Sequence, residues 1–254
     1  MNKSVKASLI IPYRQREIHL KTQLEWWKHQ KDNDYSNNFE IILVEASETP
    51  STWIQSAFQS ENLSYIHYPC KGTFHKTKAL NLGLNLAQGE FVVPYDVDLL
   101  PVRDVLLQHL WVAERSPELL ITGYRIMSNT ESIAFEEVAS VLEQTSIAPE
   151  DQPTALWKHL VLHEKFGIMP FFRKDRLLKI GGWDEQFIGW GGEDQDVIER
   201  YLKTGCHLCR CPELVYLHLF HQPDTHWTEP HIVAQNRQHY YTKANPNFDE
   251  ALHK

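Results

Sequence analysis

Long apolar runs are missing from this chain of 254 residues. No stretch approaches the roughly 18 apolar residues that a membrane-spanning helix needs. The N-terminus, MNKSVKASLIIPYR, has too short an apolar run for a signal peptide or an anchor. A soluble, cytoplasmic protein is expected. A basic excess is missing as well. Lys and Arg number 25 against 33 Asp and Glu, for a net charge of -8. That excludes a broad nucleic-acid footprint, which needs a basic surface. A small basic pocket for a phosphorylated ligand stays open. Cysteine is scarce: Cys70, Cys206, Cys209 and Cys211 are all there are. Three of them sit in GCHLCRCP beside His207. A structural zinc site takes four ligands, usually in two separated pairs, and this segment alternates like a strand. Reduced thiols in a reducing compartment are the default expectation. Internal repeats, low-complexity tracts and a clear domain linker are absent from the sequence too.

What is present is an ordinary globular composition, 42% hydrophobic and 23% charged, in a chain long enough for a sizeable core. Eight Trp and ten Tyr are many. Most will fill a core, but aromatic faces also suit the apolar C–H faces of a sugar ring. The pattern along the chain alternates strands and helices. Strands are expected over Ala7–Tyr13, Phe39–Ser47, Leu63–Tyr68, Glu90–Asp98 and Glu118–Ile126. Helices are expected over Glu17–Gln30, Ser51–Ser60, Lys76–Gly89 and Val102–Arg115, with Gly89 as a helix stop. From Ser128 to about Glu164 the pattern weakens into an excursion or lid. GIMPFFRKD returns to a strand, Glu193–Lys203 to a helix, and HLCRCPELVYLHLFH to strands or a strand pair. Such alternation implies an α/β protein with a mostly parallel sheet covered on both faces. Ligands then bind at the carboxyl ends of the strands. Here those ends fall after Pro12, after Val44 beside Glu45, and at Tyr95–Asp98.

Four constellations stand out. In YDVDLLP, Asp96 and Asp98 lie two apart at a strand end. In an extended chain their carboxylates point to one side. Two converging carboxylates call for a cation, and hard oxygen ligands suit Mg²⁺ or Mn²⁺. D-x-D alone equally fits a solvated turn. In PYRQR, Arg14 and Arg16 follow the first strand, suited to phosphate or to plain surface charge. In HLFHQPDTH, His218, His221 and His226 offer imidazole ligands. His218 and His221 can reach one ion only if the chain turns between them. In IGWGGEDQD, Glu193 and Asp194 follow Gly191-Gly192 and open a helix. They can cap it, or one can act as a general base beside Trp190.

The stretches IIPYRQREIHLKTQL, GTFHKTKALNLGL, DVDLLP and GWGGEDQD occur in the order seen in the β-1,4-galactosyltransferase family. More widely the chain resembles metal-dependent GT-A glycosyltransferases of the family 2 type, including chondroitin-polymerase-like bacterial enzymes. The resemblance runs from about Ser8 to about His226. It implies a GT-A fold, Rossmann-like with helices flanking the central sheet, in a single domain. Residues to about 125 would form a nucleotide-binding half, and those from about 126 to 254 an acceptor-binding and catalytic half. It further implies a UDP-sugar donor, Mn²⁺ or Mg²⁺, and inverting transfer of a hexose or N-acetylhexosamine to a glycan or glycolipid hydroxyl. Pro12, Arg14, Arg16, Phe74, Lys76, Asp96 and Trp190 match donor-binding positions. Glu45 at the second strand end and Val97 inside D-V-D are counted with them. Asp98 matches a metal ligand, and His218-x-x-His221 occupies the place of a Met-x-x-His pair. Glu193 would hold hydroxyls, and Asp194 would be the catalytic base. Gln195 replaces a third acidic residue of the family's run. A lipid-linked acceptor would bring such a protein to the inner-membrane surface without an anchor of its own. Two rivals are a metal-dependent nucleotidyltransferase, which would not explain GWGGED or the histidine pair, and a non-catalytic nucleotide-sugar or glycan-binding module.

Overall fold

The run ASLIIPY forms strand β1 (Ala7–Tyr13), buried along its whole length. A computed structural model describes residues 5–30, 35–58, 62–144, 165–222 and 229–244. β1 lies between β2 (Phe39–Ser47) and β4 (Phe91–Pro94), parallel to both. Beyond β2, parallel to it, lies β3 (Leu63–Pro69). At the other edge β7 (Phe172–Arg173) pairs antiparallel with β4, so the sheet order is β3-β2-β1-β4-β7. A second sheet, β5-β8-β6, is built from β5 (Leu99–Pro101), β8 (His207–His218) and β6 (Leu119–Met127).

The alternation of side chains on these strands divides the interior into two cores. Leu9, Ile11, Ile41 and Leu43 face one. Helices α1 (Glu17–His29) and α5 (Val105–Arg115) close it with Leu20, Leu24, Leu106 and Leu110. Ile10, Ile42, Val44 and Ala46 face the other. There α4 (Lys76–Leu86), α7 (Lys174–Lys179) and α8 (Glu193–Leu202) supply Ala79, Leu80, Leu177, Val197 and Ile198. Short helices α2 (Tyr35–Asn38), α3 (Thr52–Ala57) and α6 (Phe135–Val138) and the long α9 (Pro230–Ala244) complete the described α-helices.

Three sequence expectations need correction. The fourth strand stops at Pro94, not Asp98. Past it the chain turns, with Leu99 N–H donating to the Asp96 carbonyl at 3.1 Å, and re-emerges as β5 in the second sheet. The segment after Cys206 is one long strand, not a pair, with a register irregularity opposite Thr122–Tyr124. Gly89 does not stop α4, which ends at Leu86. A Cβ at Gly89 would lie 2.7 Å from the Ala7 backbone, so the glycine lets this loop pass against β1. Its N–H donates to Ser8 Oγ at 2.9 Å, and Ser8 Oγ in turn donates to the buried Glu40. In the excursion, residues up to Gln144 are described, with α6 and a 3₁₀ turn (Ala139–Gln144), and 145–164 lie outside the described residues.

The strand order sets the site. β1 connects outward to β2 on one side and has β4 on the other. The crevice between the ends of β1 and β4 is therefore the switch point of the sheet, where ligands of open α/β proteins bind. Arg14 and Arg16 leave β1 there, and Asp96 and Asp98 leave β4.

Candidate active site

The turn after β4 sends its two acids apart. Asp96 faces Lys76, with its Oδ1 3.6 Å from Nζ. Asp98 faces the other way and is buried. The expectation that both carboxylates point to one side held only for an extended chain, and the turn removes that condition. Two residues one helical turn apart on α1 hold this arrangement. Gln23, fully buried, donates from Nε2 to the carbonyls of Asp96 (3.1 Å) and Leu99 (3.0 Å). His19 Nε2 donates to the Phe220 carbonyl at 2.9 Å. Neither was singled out in the sequence, although their spacing of four on an apolar helix face is visible there.

β8 ends at His218, and the chain turns before His221, as the ligand reading required. His218 Nε2 lies 3.7 Å from Asp98 Oδ1, and His221 Nε2 lies 3.3 Å from Asp98 Oδ2. Ligand atoms of the three residues all lie within 4.8 Å of one another. Antiparallel pairing of Leu99 with His218 and the Leu219 N–H to Asp98 carbonyl bond (2.8 Å) lock the two segments together. Arg16 Nη1 approaches Asp98 Oδ2 at 3.5 Å. Asp98 Oδ1 is buried and meets no hydrogen-bond donor among the described residues. Burial holds the His218 imidazole below the usual histidine range. Asp98 opposes that effect, while Arg125 and His221 reinforce it. The neutral imidazole is the form that ligates. Neighbouring ligands of a six-coordinate ion with bonds near 2.1 Å are separated by about 3 Å, close to the spacings found. One carboxylate and two imidazoles thus fit a divalent transition ion. His226 lies outside the described residues.

A second cluster forms around Lys76 at the start of α4. Its Nζ is 3.3 and 3.4 Å from the two oxygens of Asp194, 3.6 Å from Asp96 and 3.7 Å from Glu193. Burial alone would lower the lysine, but these three carboxylates hold it well above the usual range. Glu193 is buried, and its Oε2 accepts from Gly191 N–H at 2.8 Å. Burial and the neighbouring Asp194 charge push Glu193 up to about 7, against the pull of Lys76. The Asp194 side chain is 47% exposed. Gly192, at φ 86, precedes the helix, a backbone that a residue with Cβ rarely adopts.

The remaining sequence candidates are not gathered here in the same way. Arg14 folds back onto backbone carbonyls of Ala46, Cys70 and Gly72, with its guanidinium 5.4 Å from the Phe74 ring centre. It ties the end of β2 to the loop before α4. Glu45 is buried at that strand end. Burial pushes its carboxyl up, but hydrogen bonds from Ser51 and Tyr65 outweigh this and hold it below the usual range. Pro12 is buried inside β1 opposite Val44. Phe74 is buried, and its carbonyl accepts from Gly189 N–H at 2.9 Å. Val97 packs its side chain into the first core, which leaves only its backbone to meet a ligand. Trp190 is 58% exposed. Of the cysteines, Cys206 is buried beside Arg176, while Cys209 and Cys211 pack on the first core, and all four are free.

A parallel switch-point sheet with this acid, histidine and lysine constellation at its carboxyl edge defines a GT-A glycosyltransferase fold. The chain belongs to glycosyl transferase family 2, whose family model matches residues 8–180. A second model, the N-terminal domain of galactosyltransferase, matches residues 158–222. Chondroitin synthase of Pasteurella multocida is 28% identical over 239 residues, covering 81% of this chain and 24% of that protein. Human beta-1,4-galactosyltransferase 3 is 24% identical over 219 residues, covering 83% of this chain and 41% of that one. The chain thus spans between a quarter and two fifths of these curated relatives. Among solved structures, S. aureus TarS superposes with TM-score 0.62 at 16% identity, covering 85% of this chain and 37% of that one. The mannosyltransferase PcManGT of Pyrobaculum calidifontis, in complex with GDP-Man and Mn²⁺, gives 0.60 at 19% identity, covering 94% and 64%. No helix among the described residues is long and apolar enough to cross a membrane.

Proposed function

We propose that the chain is an inverting, metal-dependent glycosyltransferase that moves a hexose or N-acetylhexosamine from a UDP-sugar to a hydroxyl of a glycan or glycolipid. The observation that carries this reading is the Asp98–His218–His221 triangle at the carboxyl edge of the sheet. Asp194 stands separately, across Lys76, from the same turn. Family membership supports sugar transfer, and TarS has been solved with UDP-GlcNAc.

Asp98, His218 and His221 would hold Mn²⁺ in preference to Mg²⁺, because two imidazoles suit a transition ion, and the ion would neutralise charge on the leaving diphosphate. The acceptor oxygen attacks the anomeric carbon as the bond from that carbon to the β-phosphate oxygen breaks. UDP departs with the electron pair, and Asp194 takes the proton from the acceptor hydroxyl. Glu193 fixes the loop before α8. Lys76 lies between the base and Asp96 of the β4 turn, suited to the donor phosphates. Arg16 shares Asp98 and borders the same crevice. Arg14, Glu45, Phe74, Pro12 and the Val97 backbone shape the donor wall, and Trp190 offers an aromatic face to a sugar. In this reading residues up to about 125 serve the nucleotide and the later ones the acceptor.

The test is calorimetric titration of UDP in Mn²⁺ and then in chelator, followed by a panel of UDP-sugars with glycan acceptors. Binding that requires the ion, with product formed, supports the reading. Binding of GDP in place of UDP would overturn the donor assignment. UDP binding with no transfer to any acceptor would leave a sugar-nucleotide binding module.

The α1 contacts add a sharper expectation. His19→Ala removes the donor that fixes the Phe220 carbonyl, and with it the turn carrying His221. Residues that orient metal ligands typically contribute 10–100-fold to affinity. Mn²⁺ affinity, read from the free-ion paramagnetic resonance signal, should fall by about tenfold. Unchanged affinity would show that β8 alone sets the histidine pair.

A further inference from the structure

The loop that carries Trp190 has little of its own to hold it. Gly189, Gly191 and Gly192 sit at φ 74, 117 and 86, and glycine backbone of this kind is costly to order. Neighbouring elements supply the hold from two sides. On the inner side, Phe74 carbonyl accepts from Gly189 N–H and Thr77 Oγ donates to the Phe187 carbonyl, both at 2.9 Å. On the outer side lies α9.

Asn236 of α9 is 4% exposed. Its single amide nitrogen donates to two loop carbonyls, Ile188 at 2.8 Å and Trp190 at 3.0 Å. An amide nitrogen has two N–H donors, so both are committed to the loop. Next to it, α9 packs on the glycine pair. A Cβ at Gly192 would meet Tyr240 Cβ at 3.1 Å, and one at Gly191 would meet Asn236 Cβ at 3.9 Å. The helix is also tied to both ends of the loop. His239 and Lys243 reach Asp184 before it, at 2.9 and 2.6 Å. Lys243 also reaches Asp196, and Tyr240 donates to Glu199, both at 2.6 Å in α8. Both family matches end before α9, at residues 180 and 222.

We infer that α9 is a clamp on the Trp190 loop, and that Asn236 is a positioning residue that fixes this loop against the start of α8. Asn236 touches no proposed reacting atom. It acts through the backbone of Ile188 and Trp190, and so through the approach to Glu193 and Asp194. The inference rests on the proposed transferase reading for its kinetic consequence, but not for its structural one.

The test compares Asn236→Ala with Gln238→Ala, an exposed position on the same helix. Hydrogen exchange of the Gly189 and Gly191 amides is measured in the whole chain, without ligand. Asn236→Ala should speed it about tenfold, the loss expected for roughly 1.4 kcal/mol of local hold, while β1 amides and Gln238→Ala stay at wild-type rates. In transfer assays kcat should fall at least tenfold with the donor KM within twofold, because misplaced groups lose rate before binding. Wild-type exchange in the loop would overturn the clamp. So would an equal change in donor KM and kcat. If Asn236→Ala does not fold, Lys243→Met removes the lysine's ties to Asp184 and Asp196 while His239 keeps its contact with Asp184, and the same faster loop exchange is required of it. Faster exchange in a chain that transfers no sugar would sustain the clamp and sink the transferase reading.

Discussion

Asp98→Ala is expected to abolish metal-dependent UDP binding. Asp98 offers the only carboxylate of the triangle, and its oxygens lie 3.3 to 3.7 Å from the two imidazole nitrogens. Without it two neutral imidazoles would have to hold a divalent ion alone, beside the Arg16 guanidinium that Asp98 now faces at 3.5 Å. That cation would then repel the ion across a largely buried gap, where screening is weak. Mn²⁺ affinity should fall at least about 100-fold, or about 2.7 kcal/mol. UDP affinity in Mn²⁺ should fall to the value measured in chelator. Asp98→Asn separates charge from shape. It keeps the size of the side chain and should lose nearly as much, because the amide brings no charge. Calorimetric titration of Mn²⁺ and then UDP into each variant reads both effects. UDP affinity in Mn²⁺ equal to wild type in Asp98→Ala would remove Asp98 from the metal site.

The parts of this site that were legible in the sequence are those built locally. β1 and β2 fall at the residues their apolar runs indicate, since a strand buried on both faces reads as a continuous run. The helical start at Glu193 was legible from the glycine pair and the acids that follow it. The divergence of Asp96 and Asp98 was not. It depends on a turn that Gln23 fixes from α1, and on β5 joining a different sheet. His19 and Phe220 are 201 residues apart in sequence, so no window along the chain contains their contact. The role of α9 stayed hidden for a related reason. Its contacts are made by Asn, His, Tyr and Lys side chains rather than by an apolar stripe, so periodicity carries no sign of what it holds. Arg14 shows a further limit. Residue type suggested phosphate, while the fold spends its donors on three carbonyls.

Asp194→Asn is expected to keep metal and UDP binding and to lose transfer. The Asp194 carboxylate is not among the triangle's ligand atoms. Its described partner is Lys76, which keeps Asp96 and Glu193 as partners when Asp194 becomes neutral. The fold should tolerate the change, because the side chain is half exposed at the first turn of α8. The amide, however, cannot accept the hydroxyl proton. General-base catalysis is worth typically 10²–10⁴-fold, so kcat should drop by about a thousandfold, with the UDP titration in Mn²⁺ superimposing on wild type. Glu193→Gln serves as the contrasting variant. Its carboxylate accepts the Gly191 N–H at 2.8 Å from a buried position. Gln keeps a side-chain oxygen that can accept the same N–H, so exchange of the Gly191 amide should stay near the wild-type rate, and with Asp194 as the base Glu193→Gln should retain transfer. An Asp194→Asn enzyme with wild-type kcat would sink the base assignment. If Glu193→Gln then lost transfer while its loop exchange stayed at the wild-type rate, the proton would have to pass to Glu193, the carboxyl whose burial holds it near neutrality.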